Sequence, residues 1–321
     1  MYFLVTGSAG FIGANVAGKL LEAGHQVAGV DNMNDYYDVR VKEWRLRQLQ
    51  SFENFKFFKE DIANYSALEE LFKTRQFEGV YNLGARAGVR ASVENPWIYY
   101  ETNVTGTLNL LECCRRFGTK KFVLASTSSI YGDAETPFKI ENKTDSALSQ
   151  YSASKKAAEV LCHTYHYLYG LDISIPRYFT VYGPAGRPDM SYFRFIIKID
   201  RGEPIDIYGD GKQSRDFTFV EDVAEATVRS SCLQGYNVLN VGNDRPVELL
   251  DMIRIVEELL NKKATLNFLS RHPADNLVTW ADVSHTEKLL DWKPRVKLEQ
   301  GLEKVVKWYF ENKDWLQEIK L

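Results

Sequence analysis

The chain has 321 residues, of which 45% are hydrophobic and 26% charged, and its formal net charge is -3 at pH 7. This balance is typical of a globular protein and excludes a broadly basic protein that binds nucleic acid or a membrane surface. The length predicts a large domain plus a smaller one. No apolar run is long enough to span a membrane, and Tyr2 to Val5 read as a strand rather than a leader. Four cysteines without CxxC spacing fit a reducing compartment, so we expect a cytoplasmic protein.

The first half of the chain alternates short apolar runs with helical patterns. The runs predicted to be strands are Tyr2 to Thr6, Gln26 to Asp31, Phe55 to Asp61, Val80 to Gly84, Lys121 to Ser126 and Ile173 to Phe179. This alternation predicts an α/β fold with a doubly wound parallel sheet. Two long helices are predicted over residues 96–117 and 150–169, and their mixed apolar faces predict a homodimer formed through them.

The pattern changes after residue 179, where a loop rich in Gly and Pro occupies residues 182–188. Short strands are predicted at 205–208, 238–241 and 264–268, and helices at 220–231, 249–261 and 302–310. We therefore predict a dinucleotide-binding domain over residues 1–179 and a mainly substrate-binding domain over residues 180–321. Segments near 217–243 are expected to return to the larger domain.

A glycine pattern, Gly7-Ser8-Ala9-Gly10-Phe11-Ile12-Gly13, lies between the first strand and an amphipathic helix. This context is typical of a pyrophosphate site: Gly7 permits the tight turn, Gly10 a close approach of backbone to phosphate, and Gly13 close packing of helix on strand. Asp31 ends the second strand, where a carboxylate accepts hydrogen bonds from a ribose 2′-hydroxyl and repels a 2′-phosphate. NAD is thus favoured over NADP. Asp61 either bonds the adenine or caps a helix.

Tyr151 and Lys155 stand one turn apart at the start of the second long helix, on the same face. A phenol that titrates near pH ~10 needs about 4 kcal/mol of preferential stabilisation of its phenolate to act as a base near neutrality. Lys155 and a cationic nicotinamide ring are suited to supply that stabilisation. The pair is predicted to work beside the strand end that carries Ser126, Thr127, Ser128 and Ser129.

These separated motifs, with Asn82-Leu83-Gly84-Ala85 and Arg177-Tyr178-Phe179, resemble the extended short-chain dehydrogenase/reductase family over nearly the whole chain. Asn82-Leu83-Gly84-Ala85 departs from the family's usual HLAA. The resemblance implies a Rossmann-type sheet with a smaller α/β C-terminal substrate domain, bound NAD, and catalytic roles for Thr127, Tyr151 and Lys155. The expected cofactor-binding residues are Gly7, Gly10, Phe11, Ile12, Gly13, Asp31, Asn32, Asp61, Ile62, Leu83, Ala85, Asn103, Ser126, Tyr151, Lys155 and Tyr178.

The same resemblance narrows the reaction. The family's 4,6-dehydratases carry Asp and Glu directly after the catalytic Thr, and its decarboxylases carry Glu two positions after it, whereas this chain has Ser128 and Ser129. Reversible oxidation at C4 remains: the hydroxyl loses its proton to Tyr151, hydride passes to NAD⁺, the 4-keto sugar rotates, and hydride returns to the other face. We expect the cofactor to be held tightly and to co-purify.

Residues 177–190 resemble UDP-glucuronate 4-epimerases, whereas neutral-hexose epimerases usually have Asn where Thr180 stands. A glucuronate carboxylate needs a charge-assisted partner, and Arg187 offers one; the alternative is that Arg187 only fixes its own loop. Residues 213–217 resemble the family's UDP-binding motif, in which Arg215 would meet the diphosphate, and Asp275 resembles its ribose-binding acid. The expected substrate-binding residues are Arg90, Ser128, Ser129, Thr180, Arg187, Arg215, Asp275 and Thr279. Arg90 has the alternative role of an ion pair with a neighbouring helix.

Other functions stay open on the sequence. The same catalytic residues would serve a 4-epimerase acting on UDP-glucose or UDP-N-acetylglucosamine. A nucleotide-sugar reductase would release reduced cofactor, and an inactive NAD-binding regulator would not need Thr127, Tyr151 and Lys155 together. No metal is expected, because the five histidines lack metal-ligand spacing.

Overall fold

The computed structural model describes residues 1–271 and 276–320. In these ranges the strands follow the chain as β1 (Tyr2–Thr6), β2 (Gln26–Val30), β3 (Phe55–Phe58), β4 (Gly79–Asn82), β5 (Lys121–Leu124), β6 (Ser126–Thr127), β7 (Asp172–Tyr178), β8 (Thr180–Tyr182), β9 (Ile205–Tyr208), β10 (Ser214–Phe219), β11 (Tyr236–Val241), β12 (Pro246–Glu248) and β13 (Leu266–Leu269). Most of the strands before residue 180 alternate with helices, as a doubly wound sheet requires.

The helices of the same ranges are α1 (Phe11–Glu22), α2 (Val39–Gln50), α3 (Tyr65–Thr74), α4 (Ala91–Glu94), α5 (Trp97–Tyr100), α6 (Gly106–Phe117), α7 (Gln150–Tyr169), α8 (Ser191–Arg201), α9 (Val220–Ser230), α10 (Leu249–Leu260), α11 (Ser284–Leu290), α12 (Leu298–Glu311) and α13 (Lys313–Leu316). A π-helical turn at Glu101–Thr105 joins α5 to α6, and a 3₁₀ turn spans Ser128–Tyr131.

A parallel sheet in the order β11-β7-β5-β4-β1-β2-β3 forms the centre of the molecule, with β6 continuing beside β7. Its register sets Thr6 beside Val30 on β2 and beside Asn82 on β4, so the carboxyl ends of these strands lie at one edge. The strand order reverses at β1, where open α/β sheets bind ligands in a crevice. The predicted fold class, a Rossmann-type doubly wound sheet, is confirmed.

A smaller lobe follows β7. It contains the three-stranded sheet β12-β10-β8 and the pair β13-β9, and helices α8, α10 and α12 cover a core that includes Tyr182, Phe217 and Phe219. Helix α2 contributes Val41 to this core although it follows β2 of the large sheet. Helix α2 therefore connects the two parts of the molecule.

The structure differs from the predicted elements in several places near the crevice. Strand β4 ends at Asn82 rather than Gly84, and the strand predicted over 121–126 ends at Leu124 and is followed by β6, which pairs with β7. Strand β3 ends at Phe58 rather than Asp61, because its neighbour β2 ends at Val30, which pairs with Phe58. Beyond it, the Asp61 carboxylate accepts a 2.8 Å hydrogen bond from the backbone N–H of Ala63. The helix predicted over 96–117 is divided by the π-helical turn. Asn103, within that turn, points inward to the backbone of Arg86, and such an extra residue in a helical turn is frequent at functional sites.

Candidate active site

A cavity of about 480 Å³ lies at the carboxyl edge of the large sheet and extends to the smaller lobe. It brings together predicted residues from segments far apart in the chain. Those that line it are Gly7, Gly10, Phe11, Ile12, Gly13, Asp31, Asn32, Asp61, Ile62, Leu83, Ala85, Ser126, Thr127, Ser128, Ser129, Tyr151, Lys155, Tyr178, Thr180, Arg187, Arg215 and Thr279. The expected cofactor, catalytic and substrate residues therefore share one continuous space.

The glycine loop forms a tight turn at the start of α1. Gly10 donates a 2.8 Å hydrogen bond to the Gly7 carbonyl oxygen, and a Cβ on Gly13 would lie 2.0 Å from that same oxygen. Among the described residues, no side chain caps the N-terminus of α1 and no acid lies in its first turn. Backbone N–H groups and the positive end of the helix therefore face the cavity, which fits the pyrophosphate of a dinucleotide.

The carboxylate of Asp31 lies at the end of β2 on the cavity wall. Its Oδ2 accepts from the backbone N–H of Ala9 at 3.2 Å and its Oδ1 from that of Met33 at 2.8 Å. The buried ammonium of Lys42 lies 3.6 Å from Oδ1. An oriented carboxylate with remaining lone pairs at this strand end fits a ribose hydroxyl.

Tyr151 and Lys155 project from the first turns of α7, whose start is fixed by Ser149. Ser149 and Ser152 form a capping box, with Ser152 N–H donating to Ser149 Oγ at 3.2 Å. Burial raises the pKa of the Tyr151 phenol, and the nearby Thr127 hydroxyl and Arg187 guanidinium oppose that shift. Burial lowers the pKa of Lys155 to about 8, opposed by Glu159. Both pKa shifts favour the uncharged form of the side chain, as in sites where a proton is exchanged.

A buried ion pair supports these groups from behind. Glu159, one turn beyond Lys155, receives hydrogen bonds from Arg177 on β7 at 3.0 and 2.8 Å. Ser126 also donates to Glu159, at 2.6 Å. The side chain of Glu159 therefore ties α7 to β6 and β7, and this fixes the separation between Tyr151 on the helix and Thr127 on the strand.

Arg187 reaches the cavity from the loop after β8. Its Nε and Nη2 form a forked ion pair with Asp189, at 3.0 and 2.6 Å, and Nη1 takes no part in that pair. The guanidinium lies 5.6 Å from the centre of the Tyr36 ring. Arg187 therefore fixes its own loop, which is the alternative role considered above, and at the same time carries positive charge into the cavity beside Tyr151.

Comparison with known proteins places this arrangement in a family. A family model described as GDP-mannose 4,6 dehydratase matches residues 4–305. The chain belongs to that family. The family is of the extended short-chain dehydrogenase/reductase type, so the family predicted from the motifs is confirmed.

A protein named UDP-glucuronate 4-epimerase from Thermodesulfobacterium geofontis is 54% identical over 321 residues, which cover 100% of this chain and 99% of that one. Among solved structures, UDP-glucuronic acid 4-epimerase from Bacillus cereus in complex with UDP-glucuronic acid and NAD is 36% identical, with a TM-score of 0.92 and coverage of 97% and 100%. UDP-glucose 4-epimerase from Thermotoga maritima with UDP-glucose is 30% identical, with a TM-score of 0.89 and coverage of 97% and 99%. Relatives that act on charged and on neutral sugars thus share this fold.

Two of the predicted residues that the structure describes, Asn103 and Arg90, are not among those lining the cavity. Asn103 is 1% exposed and directs its carboxamide to the backbone of Arg86 and to Ser154 Oγ, so it shapes the cavity wall from behind. Arg90 stacks on the Tyr208 ring of β9, with its guanidinium carbon 3.8 Å from the ring centre. Asp275 lies outside the described residues.

The structure also identifies cavity residues that the sequence analysis did not select: Tyr36, Lys42, Arg86 and Asp189. Arg86 and Arg187 both lie over the Tyr36 ring, at 5.5 and 5.6 Å from its centre. One signal was available in the sequence, because Lys42 occupies the buried face of α2 with Val41 and Leu49. A charged residue at an apolar position of an amphipathic helix indicates a specific partner or a site.

No cluster of three or more His, Cys, Asp or Glu side chains within residues 1–271 and 276–320 is arranged to hold a metal ion. In that same portion of the chain, no helix is both long and apolar enough to cross a membrane.

Proposed function

We propose that this protein is a UDP-glucuronate 4-epimerase, which interconverts UDP-glucuronate and UDP-galacturonate with tightly bound NAD⁺. The proposal is supported by the 54% identity to a protein of that name over the whole chain and by the side chains that share the cavity. NAD⁺ would supply the chemistry of accepting a hydride from C4 and returning it. The residues that line the cavity at the glycine loop and at Asp31 would hold it.

The observation that carries the substrate assignment is that Arg187 and Tyr151 line the same cavity, where the charge of the guanidinium acts to lower the pKa of the phenol. In a glucuronate ring, C4 bears the reacting hydroxyl and C5 bears the carboxylate carbon. A base at the C4 hydroxyl therefore has the substrate carboxylate within a few ångströms. A cation beside that base, with Nη1 outside the Asp189 pair, suits a charge-assisted bond to this carboxylate.

In the proposed reaction Tyr151 removes the proton of the C4 hydroxyl and later returns a proton to the C4 oxygen of the rotated sugar, while inversion comes from hydride return to the other face of C4. Thr127 lies at the end of β6 beside the Tyr151 phenol and would orient the hydroxyl. Lys155 would stabilise the phenolate by its positive charge, and Glu159 favours that charge from the next turn of α7. The three residues together move one proton without a net change in the protein.

The neighbouring serines support epimerisation over elimination or decarboxylation. Ser128 and Ser129 follow Thr127 directly and line the cavity, and Thr180 faces the same space. Hydroxyls offer hydrogen bonds to a carboxylate, whereas Asp or Glu at these positions would supply an acid or base for loss of water or would repel the substrate. We propose that Ser128, Ser129, Thr180 and Arg187 together hold the carboxylate in a plane that disfavours loss of CO₂ from the 4-keto intermediate.

The remaining substrate contacts are proposed for the smaller lobe. Arg215 and Thr279 line the cavity there, and the Arg215 guanidinium would meet the UDP diphosphate. Arg90 and Asp275 complete the proposed substrate-binding set. In this arrangement residues 1–179, with segments near 217–243, form the dinucleotide-binding domain, and residues 180–321 mainly bind the nucleotide sugar.

The substrate assignment is tested by incubating purified protein, without added cofactor, with UDP-glucuronate or with UDP-glucose and following products by proton NMR. Formation of UDP-galacturonate is expected. Arg187→Ala should raise KM for UDP-glucuronate by about tenfold or more, because a charge-assisted bond contributes roughly 1.5–3 kcal/mol. Formation of UDP-galactose alone, or an unchanged KM in the variant, would refute the assignment.

A second candidate, a 4-epimerase of UDP-glucose or UDP-N-acetylglucosamine, is favoured by one observation. A UDP-glucose 4-epimerase has a TM-score of 0.89 to this chain, and Thr127, Tyr151 and Lys155 would serve it equally. The Arg187→Ala variant separates the two, since turnover of a neutral sugar does not depend on a bond to a carboxylate.

We further propose that the protein is a cytoplasmic homodimer. Helices α5, α6 and α7 lie side by side and expose large apolar side chains, with Trp97 81% and Tyr167 79% exposed. Burying such residues between two copies would remove substantial apolar surface from water. Light scattering should give about twice the mass of one chain, and Trp97→Asp should shift the protein toward the monomer. Three buried free cysteines fit a reducing compartment.

A further inference from the structure

A buried arginine on α2 contacts three different loops that line the cavity. Arg45 is 2% exposed and does not itself line the cavity. The three loops are the glycine loop at residues 7–10, the segment after β2 that includes Tyr37, and the loop after β8 that carries Arg187. The first belongs to the proposed cofactor side and the last to the proposed substrate side.

The guanidinium of Arg45 donates four hydrogen bonds to these loops. Nε donates to the Ala185 carbonyl oxygen at 2.7 Å and Nη2 to that of Gly186 at 2.8 Å. Nη1 donates to the Ala9 carbonyl oxygen at 3.1 Å and to the Tyr37 hydroxyl at 2.7 Å. Among the described residues its polar partners include no carboxylate, so this buried cation is stabilised by backbone carbonyls, a hydroxyl and the faces of Phe11 and Tyr37.

The loop after β8, whose carbonyl oxygens accept hydrogen bonds from Arg45, has a constrained backbone. Ala185 has a φ of 49°, in the left-handed region that disfavours residues other than glycine. A Cβ on Gly186 would lie 1.7 Å from the Tyr192 hydroxyl, so only glycine fits there. Such a conformation persists only where its surroundings determine it. Here two hydrogen bonds from one planar guanidinium to two successive carbonyls hold the backbone in this conformation, immediately before Arg187.

We infer that Arg45 is a positioning residue, which sets Arg187 at a fixed place relative to the cofactor loop and thereby sets the affinity for the substrate carboxylate. The inference rests on the proposed role of Arg187 in binding that carboxylate. Within the described part of the chain, none of the hydrogen bonds or ring contacts of Arg45 goes to α7 or β6, which carry Tyr151 and Thr127. Loss of Arg45 should therefore affect substrate binding far more than the chemical step.

The test is a double-mutant cycle between Arg45→Lys and Arg187→Ala, with KM and kcat measured separately on UDP-glucuronate. Lysine keeps the charge but lacks the planar fork that reaches two adjacent carbonyls. Arg45→Lys is expected to raise KM about tenfold, since bonds to charged groups contribute roughly 1.5–3 kcal/mol, and to change kcat less than about threefold. In the Arg187→Ala background the same substitution should change KM by less than about twofold, because the two residues act through one contact.

Arg229→Lys is the matched control, because Arg229 also donates to two successive carbonyls, those of Leu290 and Asp291, but between α9 and the end of α11. It should leave KM unchanged. If Arg45→Lys does not fold, Arg45→Gln gives the same cycle, because its neutral amide removes the buried charge and donates to one carbonyl but lacks the planar fork. An unchanged KM in Arg45→Lys, or a full additive increase in the Arg187→Ala background, overturns the inference while the role of Arg187 stands. If Arg187→Ala alone leaves KM unchanged, the proposed carboxylate contact fails and this inference fails with it.

Discussion

The two sides of the cavity are built in different ways. On the cofactor side, the contacts that face the cavity come mainly from backbone at the ends of β1 and β2 and at the start of α1, where glycines leave the N–H groups accessible. On the substrate side, they come from side chains such as Arg187 and Thr279. The segments that carry these side chains are held by residues distant in sequence, Arg45 and Ser214. A site built from backbone groups tolerates few substitutions, but its geometry needs few supporting contacts from other side chains. A site built from side chains depends on the residues that hold those side chains in place, such as Asp189 and Arg45.

Tyr151 stands where the two sides meet, so its substitution should separate chemistry from binding. Tyr151→Phe removes the hydroxyl that exchanges the proton, and we expect kcat to fall by about 10³-fold, within the range of general acid–base catalysis. Bound NAD should remain, because the glycine loop and Asp31 are untouched. Turnover is measured by NMR and cofactor by absorbance after denaturation. A variant that loses its NAD would show that the two sides are not separable.

Lys155 links activity to stability. Because burial lowers its pKa to about 8, the ammonium is lost as pH rises through about 8, and kcat/KM should fall in that range rather than near pH ~10. The folded protein disfavours the charged form, so the cost to stability is present below about pH 8 and disappears by about pH 10.5. Lys155→Met should therefore raise the free energy of unfolding at pH 7 by about 1–3 kcal/mol while lowering kcat by about 10²-fold. A variant that is less stable at pH 7 contradicts this account.

Gly13 tests the backbone character of the cofactor side. A methyl group there meets the Gly7 carbonyl oxygen at 2.0 Å, so Gly13→Ala must displace the loop, at an expected cost of about 1–3 kcal/mol, and should weaken NAD retention by about tenfold to hundredfold. Gly18→Ala, in the same helix, is the matched control, because its added methyl group meets no atom within 4 Å. The control should stabilise the protein by about 0.5–1 kcal/mol. Equal NAD content in both variants would contradict the claim that the backbone geometry at Gly13 holds the cofactor.

The smallest effect on activity is expected far from the cavity, in the scaffold of the smaller lobe. Asp200 lies at the end of α8 with 4% of its side chain exposed, and it pairs with Lys262 and Lys313, each at 2.6 Å. Burial alone would raise its pKa, but hydrogen bonds from these lysines and from Tyr309 lower it to about 2. Asp200→Asn should reduce the free energy of unfolding at pH 7 by about 1–2 kcal/mol, since the lysines are partly exposed, and leave kcat and KM unchanged.

Urea unfolding at several pH values measures this contribution. A carboxyl whose pKa is lowered stabilises the fold above its unfolded value, so the difference between Asp200→Asn and the wild type should shrink only as pH falls from about 4 to about 2. Glu203→Gln is the control, because Glu203 lies 3.7 Å from Arg201 with 46% of its side chain exposed and should change stability by less than about 0.5 kcal/mol. Equal losses in both variants would contradict the special role of Asp200.

The difference between the two sides also explains what the sequence could predict. The strands, the glycine loop and Asp31 follow from local patterns, because backbone geometry is fixed within a few residues. The break in the helix over 96–117 could not be predicted, since it depends on Asn103 binding the backbone of Arg86. The fork between Arg187 and Asp189 lies within three residues of sequence. The position of their loop depends on Tyr36 and Arg45, which are more than a hundred residues away in the chain.

The central claim is that C4 is oxidised and reduced within one binding event, with Tyr151 carrying only the proton. It is tested most directly with UDP-glucuronate labelled with deuterium at C4, incubated in ordinary water with protein that receives no added cofactor. Because the hydrogen leaves C4 as a hydride and returns without meeting solvent, the UDP-galacturonate formed should retain the deuterium at C4. Loss of the label to water would show that C4 epimerises by proton exchange and would contradict the account.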